Sequence, residues 1–217
     1  MKLLLLGATG RTGRWVLEYA LAAGHDVVAL VRTPEKILAH SPQLSIVRGT
    51  PESAGDVLAA ICGSEAVIST LNNNRESDLP WARPLSPPML MTRSIANAVS
   101  AMRSNDVRRI VTLSALGVGD SFVYAPAITR LLIHHTNLRI VYEDHEAQEA
   151  LLRTSGLDWT CARAAILTNR RSRQLLVSCD GRPKPALTIG RAELARFMVD
   201  ILDQPTFFGK APVISGR

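Results

Sequence analysis

The stretch LLLLGATGRTG, residues 3–13, decides the fold of this chain. Its four consecutive leucines are too few to span a membrane and are typical of a buried strand. Gly7, Gly10 and Gly13 follow at the spacing G-x-x-G-x-x-G, and apolar residues then recur at helical spacing between positions 15 and 20. A strand, a glycine turn and a helix in this order predict a unit that binds a dinucleotide.

Each glycine of this turn has its own predicted task. Gly7 allows the chain to leave the strand in a tight turn, Gly10 lets the backbone approach a pyrophosphate, and Gly13 lets the helix pack against the strand. The free N–H groups and the positive end of the helix dipole would then face the phosphates. A glycine triplet alone could be a simple tight turn, but the flanking strand and helix favour nucleotide binding.

The whole chain has the composition of an ordinary globular protein. Its 217 residues are 47% hydrophobic and 20% charged, which predicts one domain over 1–217 with a substantial core and small substrate-side elements at about 165–217. No hydrophobic run reaches the length of a membrane span and no signal peptide pattern is complete, so we expect a cytoplasmic protein. Cys62, Cys161 and Cys179 are far apart and are expected to be free thiols.

The net charge of +6 is compatible with nucleic acid, a membrane surface or an anionic ligand as partner. The basic residues are scattered, apart from Arg170, Arg171 and Arg173. A phosphorylated cofactor and an acidic substrate explain this charge more simply than nucleic acid does. We therefore predict a small-molecule partner, neither nucleic acid nor membrane, and a monomer or small homo-oligomer. No residue pattern predicts a metal site.

The residues after the second predicted strand, 26–31, bear on the choice of cofactor. At the end of that strand a carboxylate would bind the ribose 2′-hydroxyl of NAD, whereas an arginine accommodates the 2′-phosphate of NADP. Arg32 occupies this position, Lys36 lies one helical turn further on, and Arg11 adds positive charge in the glycine turn. We predict NADP(H) in preference to NAD(H); the alternative is that Arg32 and Lys36 are solvated surface charges.

Beyond the first βα unit, apolar strand patterns alternate with amphipathic helical patterns. This alternation predicts an α/β fold, a Rossmann-like doubly wound parallel sheet with helices on both faces. Further strands are predicted at 44–47, 66–70, 109–113, 158–164, 175–178 and near residue 213. Helices are predicted at 13–23, 55–62, 89–105, 128–133, 144–154 and 191–202.

A long loop, residues 71–88, leaves the carboxyl end of the fourth strand. That edge is where open α/β sheets bind their ligands, and loops of this length are usually functional or disordered. We predict either a lid over the nicotinamide half of the cofactor, with Trp81 as part of it, or a mobile surface loop.

Ser114 and His145 are the candidate catalytic residues. Ser114 ends a central strand at the ligand edge, where its hydroxyl could donate to a substrate carbonyl or to the nicotinamide amide, or simply cap a turn. His145 is predicted near the start of a helix, flanked by carboxylates, where it could contact the cofactor, relay a proton or lie on the surface. Neither Tyr124 nor Tyr142 is followed four residues later by a lysine, so the acid pair of many short-chain reductases is missing.

These stretches together resemble the atypical short-chain dehydrogenase/reductase group that binds NAD(P)H, which includes the biliverdin reductase B-like flavin reductases and the NmrA-like proteins. The specific motifs are GATGRTG at 7–13 and SGLDWT at 155–160. Supporting stretches are LVR at 30–32, AVIST at 66–70, TLSALG at 112–117 and ARAAILTN at 162–169. The resemblance covers nearly the whole chain.

The resemblance implies a set of cofactor contacts. The pyrophosphate would be held by Gly7, Thr9, Gly10, Arg11 and Thr12, and the 2′-phosphate by Arg32 and Lys36. Thr50 and Pro51 would lie beside the adenine, Leu71 and Asn72 beside the nicotinamide ribose, and Thr112, Ser114 and His145 would complete the site. Ser114 matches a serine that assists reduction in the group. His145 falls where typical members have lysine, and Val141 falls where they have tyrosine.

The resemblance also implies an activity. A flat, conjugated acceptor such as a flavin, a quinone or a tetrapyrrole can stack on the nicotinamide of NADPH and take a hydride without a strong acid. The main alternative is a non-catalytic NADP(H)-binding redox sensor of the NmrA-like type. A sugar epimerase or dehydratase is a third option, which needs the tyrosine–lysine pair and a larger C-terminal region.

Overall fold

The computed structural model describes residues 1–172 and 174–217, and ten strands of these residues form one sheet. The strands are β1 (Lys2–Leu6), β2 (Asp26–Val31), β3 (Leu44–Arg48), β4 (Ala66–Ser69), β5 (Arg109–Ala115), β6 (Asp158–Ala164), β7 (Ile166–Thr168), β8 (Leu175–Ser178), β9 (Thr188–Gly190) and β10 (Val213–Gly216). The helices are α1 (Gly13–Ala22), α2 (Ala54–Ala60), α3 (Leu90–Ser104), α4 (Ala127–His135), α5 (Leu138–Arg153) and α6 (Arg191–Asp200).

The strand order is β3-β2-β1-β4-β5-β6-β10-β9-β7, with β8 paired to β10. The pairs from β3 to β6 are parallel, as is the pair of β6 with β10. The predicted α/β fold with a Rossmann-like sheet is thereby confirmed. The far end departs from an all-parallel sheet, because β10 pairs antiparallel with both β8 and β9.

The four leucines of β1 explain why this strand lies at the centre. Leu3 and Leu5 pack into the layer that contains α1 and α6, whereas Leu4 and Leu6 pack into the layer with α2, α3 and α5. Both faces of the strand are covered, so its sequence is continuously apolar rather than alternating. Each leucine buried in this way contributes roughly 1.5–3 kcal/mol to stability.

Two features of the structure differ from what the sequence predicts. Helix α5 begins at Leu138, six residues before the predicted start, so His145 lies in the middle of a helix and not near its beginning. The short strands β7 and β9 were not predicted, and they pair with one another beside the carboxyl end of β6. The three cysteines are free, as expected. No helix of the described residues is long and apolar enough to cross a membrane.

Candidate functional site

The glycine turn between β1 and α1 is shaped by close backbone contacts. Gly7 has a φ of +89°, and a Cβ there would lie 2.8 Å from the Thr70 hydroxyl oxygen. A Cβ on Gly13 would overlap the carbonyl oxygen of Gly7. These two positions therefore require glycine for geometry alone, as the fingerprint predicts.

The same turn presents free hydrogen-bond donors. Among the described residues, the backbone N–H groups of Arg11, Thr12 and Gly13 have no acceptor, while Gly10 is exposed and Thr9 half-buried. The first N–H groups of a helix are unpaired within the helix itself and favour a bound anion. The turn therefore fits the pyrophosphate of a dinucleotide, which these N–H groups would hold.

Arg11 already has an anionic partner in this structure. Its two terminal nitrogens donate to the two carboxylate oxygens of Asp78 at 2.7 and 2.6 Å. This hydrogen bond lowers the pKa of Asp78 and raises that of Arg11, although both side chains are more than half exposed. The carboxylate of Asp78 thus binds the Arg11 guanidinium that is predicted to hold the pyrophosphate.

A second cationic group lies at the ends of β2 and β3. Arg32 and Lys36 are exposed, and neither side chain forms a hydrogen bond or an ion pair within the described residues. Arg48, at the end of β3, is in register with Val31 and pairs with Glu35. Three cations against one carboxylate leave an excess of positive charge beside the predicted 2′-phosphate position.

The predicted adenine contacts Thr50 and Pro51 follow β3 directly. The N–H of Thr50 donates to Asp56 at 2.8 Å, and the carbonyl of Pro51 accepts from the Asn97 side chain at 3.0 Å. These bonds fix the backbone after β3 at the same edge of the sheet as the glycine turn.

A cavity of about 300 Å³ opens at the carboxyl ends of the central strands. It brings together four residues that the sequence singled out: Arg11, Asn72, Ser114 and His145. Apolar side chains cover much of its wall, from Leu113, Leu116, Leu138, Val141, Ala164, Ile166, Leu167 and Leu187. Leu71 packs instead against the core beneath.

Thr112 does not belong to this cavity. It is fully buried, and its hydroxyl donates to the sulfur of Cys161 at 3.4 Å on the neighbouring strand. Side chains two residues apart on a strand share a face, so Thr112 lies one row deeper than Ser114. The prediction of Thr112 as a cofactor contact is not supported by this arrangement.

The segment between β4 and α3, residues 71–89, forms a strap along the cavity. A bridge pairs Arg75 with Pro84, and Asn74, Arg75, Ser77 and Asp78 line the cavity. Two contacts hold the strap in place. On one side Asp78 of the strap is bound by Arg11, and on the other the Asn137 side chain donates to the Trp81 carbonyl at 2.8 Å. Trp81 itself is 63% exposed and is not among the residues that line the cavity, so a lid that includes Trp81 stays a prediction.

Ser114 is joined to a buried ionic network. Its hydroxyl donates to the Glu149 carboxylate at 2.7 Å, and Arg163 binds the two oxygens of that carboxylate at 2.9 and 2.7 Å. Ser114 and Arg163 are in register on β5 and β6, and Glu149 reaches them from α5. Because a carboxylate paired in this way only accepts hydrogen bonds, the Ser114 proton is not available to a ligand while this contact holds.

Asp120 completes the network at its outer end. Arg163 donates to it at 2.6 Å. Burial opposes ionisation of Asp120, but the hydrogen bond from Arg163 lowers its pKa. The paired carboxylates offset the cost of burying the Arg163 charge, whose side chain is 2% exposed.

His145 is buried, contrary to the alternative that it lies on the surface. It is 2% exposed, it lines the cavity, and its Nδ1 has no hydrogen-bond partner in the part of the chain that the structure describes. Burial lowers its pKa to about 4, against the opposing effect of Asp144 and Glu149. At neutral pH the ring is therefore an uncharged donor and acceptor, not an imidazolium acid.

Val141 falls at the position where typical members of the resembling group have the acid tyrosine, and Tyr142 is the next residue of α5. Val141 lies one helical turn before His145 and lines the same cavity. The Tyr142 hydroxyl donates to the Leu116 carbonyl at 3.1 Å, and burial raises its pKa to about 12. No tyrosine–lysine pair lines the described cavity, as the sequence indicates.

Asp144 is a structural residue that sequence reasoning missed. It is fully buried, and its carboxylate accepts from the N–H groups of Met91 and Thr92 at 3.0 and 2.9 Å, from the Thr92 hydroxyl and from Asn73. Asp144 on α5 thus caps the N-terminus of α3, and its bond with Asn73 fixes the strap to α5. No local pattern signals this, because the contact joins residues more than 50 positions apart.

The chain belongs to the NAD(P)H-binding family, whose profile matches residues 7–205. A chloroplastic, uncharacterised protein of Arabidopsis thaliana is 29% identical over 178 residues, which are 77% of this chain and 60% of that protein. The chain therefore spans 60% of the length of this relative. The reductase pytE of Aspergillus terreus is 24% identical over 96% of this chain and 95% of its own.

Solved structures share the fold. The anaerobillin reductase ChuY of Escherichia coli O157:H7 superposes with a TM-score of 0.79 at 19% identity, covering 100% of this chain and 97% of that one. A short-chain dehydrogenase/reductase of Veillonella parvula, in complex with NADP, superposes with a TM-score of 0.78 at 18% identity, covering 99% and 94%. The NAD(P)H-binding family predicted from the sequence is confirmed, and the Rossmann-like fold is shared with these solved structures.

Proposed function

We propose that this protein is an NADPH-dependent reductase that transfers a hydride to a planar, conjugated acceptor such as a flavin, a quinone or a tetrapyrrole. The observation that carries the proposal is the cavity at the carboxyl edge, which joins an apolar mouth to an interior without a strong acid. Ile166 and Leu187 line it and are 59% and 60% exposed, so a flat apolar ring would gain contact there.

The chemistry of the wall favours an acceptor that needs little proton donation. His145 is neutral, the Tyr142 hydroxyl is bound to a carbonyl, and the Ser114 proton points to Glu149. A conjugated ring spreads the charge it receives, and solvent can protonate it afterwards through the open mouth. The residues of the site would therefore act by orienting the acceptor and excluding water from one face.

When bound, the nicotinamide supplies the hydride, and the chain supplies its position. The free N–H groups of Arg11, Thr12 and Gly13 would hold the pyrophosphate. Asn72, Ser114 and His145 would lie against the nicotinamide half, where Ser114 can accept a hydrogen bond through its free lone pair. Val141, packed beside His145, leaves an apolar surface where related enzymes have an acid.

We further propose NADP(H) in preference to NAD(H), because Arg32, Lys36 and Arg48 give an excess of positive charge at the ends of β2 and β3. The reductase pytE and the anaerobillin reductase ChuY support a reductase, and the Veillonella protein supports an NADP site. A cytoplasmic location, a small-molecule partner and a monomer or small homo-oligomer stay predictions.

The test is oxidation of NADPH at 340 nm with FMN, a small quinone and biliverdin added separately, and with NADH in parallel. The proposal predicts turnover with at least one acceptor and faster turnover with NADPH. Tight binding of NADPH without turnover of any acceptor would favour the alternative, a non-catalytic redox sensor.

A further inference from the structure

Three arginines line the cavity against a single carboxylate. Arg11 comes from the glycine turn, Arg75 from the strap and Arg191 from the start of α6. Among the described residues of the cavity wall, Asp78 alone carries a negative charge, and it is bound to Arg11. The cavity is therefore positively charged beyond what the chain itself neutralises.

Arg191 is the unusual member of this group. It is 7% exposed, and its one hydrogen bond within the described residues goes to the neutral side chain of Asn169 at 2.8 Å. No carboxylate of the described residues forms an ion pair with it. Burial and the nearby Arg11 lower its pKa, with Asp78 opposing.

The two other buried arginines of the described chain are saturated with partners. Arg163 is bound by Glu149 and Asp120. Arg109 makes five hydrogen bonds, to the carbonyls of Leu202, Ile110, Asp158 and Ile201 and to the Thr160 hydroxyl. Because a buried guanidinium with spare donors is costly, the contrast indicates that Arg191 has a further partner outside residues 1–172 and 174–217.

Arg191 reaches the cavity from the end of β9 and not from the glycine turn, although its charge lies near that of Arg11. It follows β9 directly, and β9 pairs with β7, the strand that begins at Ile166. Gly190 is in register with Thr168, so Arg191 enters the cavity wall beyond the end of β7 and on the buried side of the exposed Ile166. Helix α6 begins at Arg191 without a side-chain cap, so its N-terminal N–H groups add positive potential there. The Glu193 carboxylate packs against Gly190 and does not line the cavity.

We propose that Arg191, assisted by Arg75, is an anion subsite that binds the acid group of the acceptor. The acceptor is then a planar conjugated molecule that carries a carboxylate or phosphate, and a neutral quinone is a poor substrate. This inference rests on the proposed function. Guanidinium suits this task because its fork of N–H donors matches a carboxylate or phosphate with two hydrogen bonds.

The test compares FMN with riboflavin, which has the same ring system and no phosphate. We expect FMN to bind the NADP⁺ complex about tenfold or more tightly, since a charge-assisted hydrogen bond contributes about 1.5–3 kcal/mol. Arg191→Gln should remove this preference by weakening FMN alone, and should raise KM for FMN while NADPH affinity stays unchanged. Arg191→Lys should retain part of the preference for FMN over riboflavin. Binding is measured by calorimetry and turnover at 340 nm.

The matched control is Arg196→Gln, which removes an exposed arginine of the same helix that pairs with Asp200. It should leave both flavins unaffected. If Arg191→Gln does not fold, as judged by circular dichroism, Arg75→Gln tests the same preference from the strap.

Three results separate the outcomes. Equal binding of FMN and riboflavin, or no detectable binding of either, overturns the anion subsite. A loss of NADP⁺ affinity in Arg191→Gln as large as the loss for FMN also overturns it, because Arg191 then belongs to the cofactor site. Preferential FMN binding with no turnover of any acceptor supports the subsite and rejects the reductase.

Discussion

Arg32 is the residue on which cofactor choice depends. It is exposed at the end of β2 with no partner among the described residues, so its charge is free for a 2′-phosphate. Arg32→Ala should weaken NADPH binding about tenfold to a hundredfold, the value of a lost charge-assisted hydrogen bond, and leave NADH nearly unchanged. Fluorescence titration with both cofactors measures this. Arg139→Ala, on the surface of α5, is the control for net charge; equal weakening of both cofactors would contradict the assignment.

Ser114 is expected to act through its position between the cavity and Glu149. Ser114→Ala removes both the hydrogen bond to Glu149 and the acceptor that faces the ligand. We expect kcat/KM to fall about tenfold, which corresponds to the free energy of one hydrogen bond. The contribution of the 2′-phosphate to NADPH affinity should stay unchanged. Unchanged turnover in steady-state assays would remove Ser114 from the mechanism.

His145 gives the protein a predictable acid sensitivity. Its pKa in the folded state, about 4, lies below its ordinary value, so the unfolded chain binds the proton more tightly. Its contribution to stability is therefore lost as the pH falls from about 6.5 to 4, by at most about 1.4 kcal/mol per pH unit. In urea unfolding series, His145→Gln should be less sensitive over this range. The exposed His40→Gln is the control, and identical pH dependence in both variants would contradict the pKa assignment.

At the scale of elements, Asp144 joins α5, α3 and the strap. Asp144→Ala leaves the buried N–H groups of Met91 and Thr92 without acceptors and removes the cap of α3. The free energy of unfolding should fall by about 3 kcal/mol or more. Glu143→Ala, which removes an exposed pair with Arg139, should cost less than about 1 kcal/mol. Denaturant unfolding decides, and equal losses for the two variants would refute the capping role.

The strap is expected to compete with the cofactor for Arg11. Asp78→Asn breaks an exposed bidentate pair worth about 0.2–1 kcal/mol, so NADPH should bind about twofold to fivefold more tightly. Glu76→Gln, on the same strap and 3.9 Å from Arg83, is the matched control. Weaker binding in Asp78→Asn would mean that the closed strap supports the cofactor instead of opposing it.

The limits of sequence reasoning also show at this scale. Strands with continuous apolar runs, such as β1 and β2, were predicted to within a residue, since burial on both faces has a clear signature. Helix α5 was predicted to begin six residues late, because its first turns contain Ile140, Val141 and Tyr142, which have low helix propensity and depend on tertiary packing. Strands β7 and β9 have three residues each, too few for a periodic pattern.

For the whole molecule, the sequence located the site better than it described the side chains within it. Parallel strands end at one edge, so Arg11 and Ser114 were expected there. The family resemblance added Asn72 and His145, and the cavity brings these four residues together. The partners of these residues were not foreseeable: Asp78 lies 67 positions from Arg11, and Glu149 lies 35 from Ser114. Contacts at such separations depend on the folded path of the chain and leave no local pattern.

The central claim is that the protein transfers a hydride from NADPH, and one measurement tests it directly. A single turnover is followed at 340 nm without oxygen, with the protein in excess over FMN and NADPH. The NADPH carries either hydrogen or deuterium at the position from which the hydride is transferred. The account predicts loss of one equivalent of NADPH for each FMN reduced, and slower loss with deuterium. Stoichiometric binding of NADPH with no loss of absorbance, with FMN and then with biliverdin, would contradict the account and identify a binding protein.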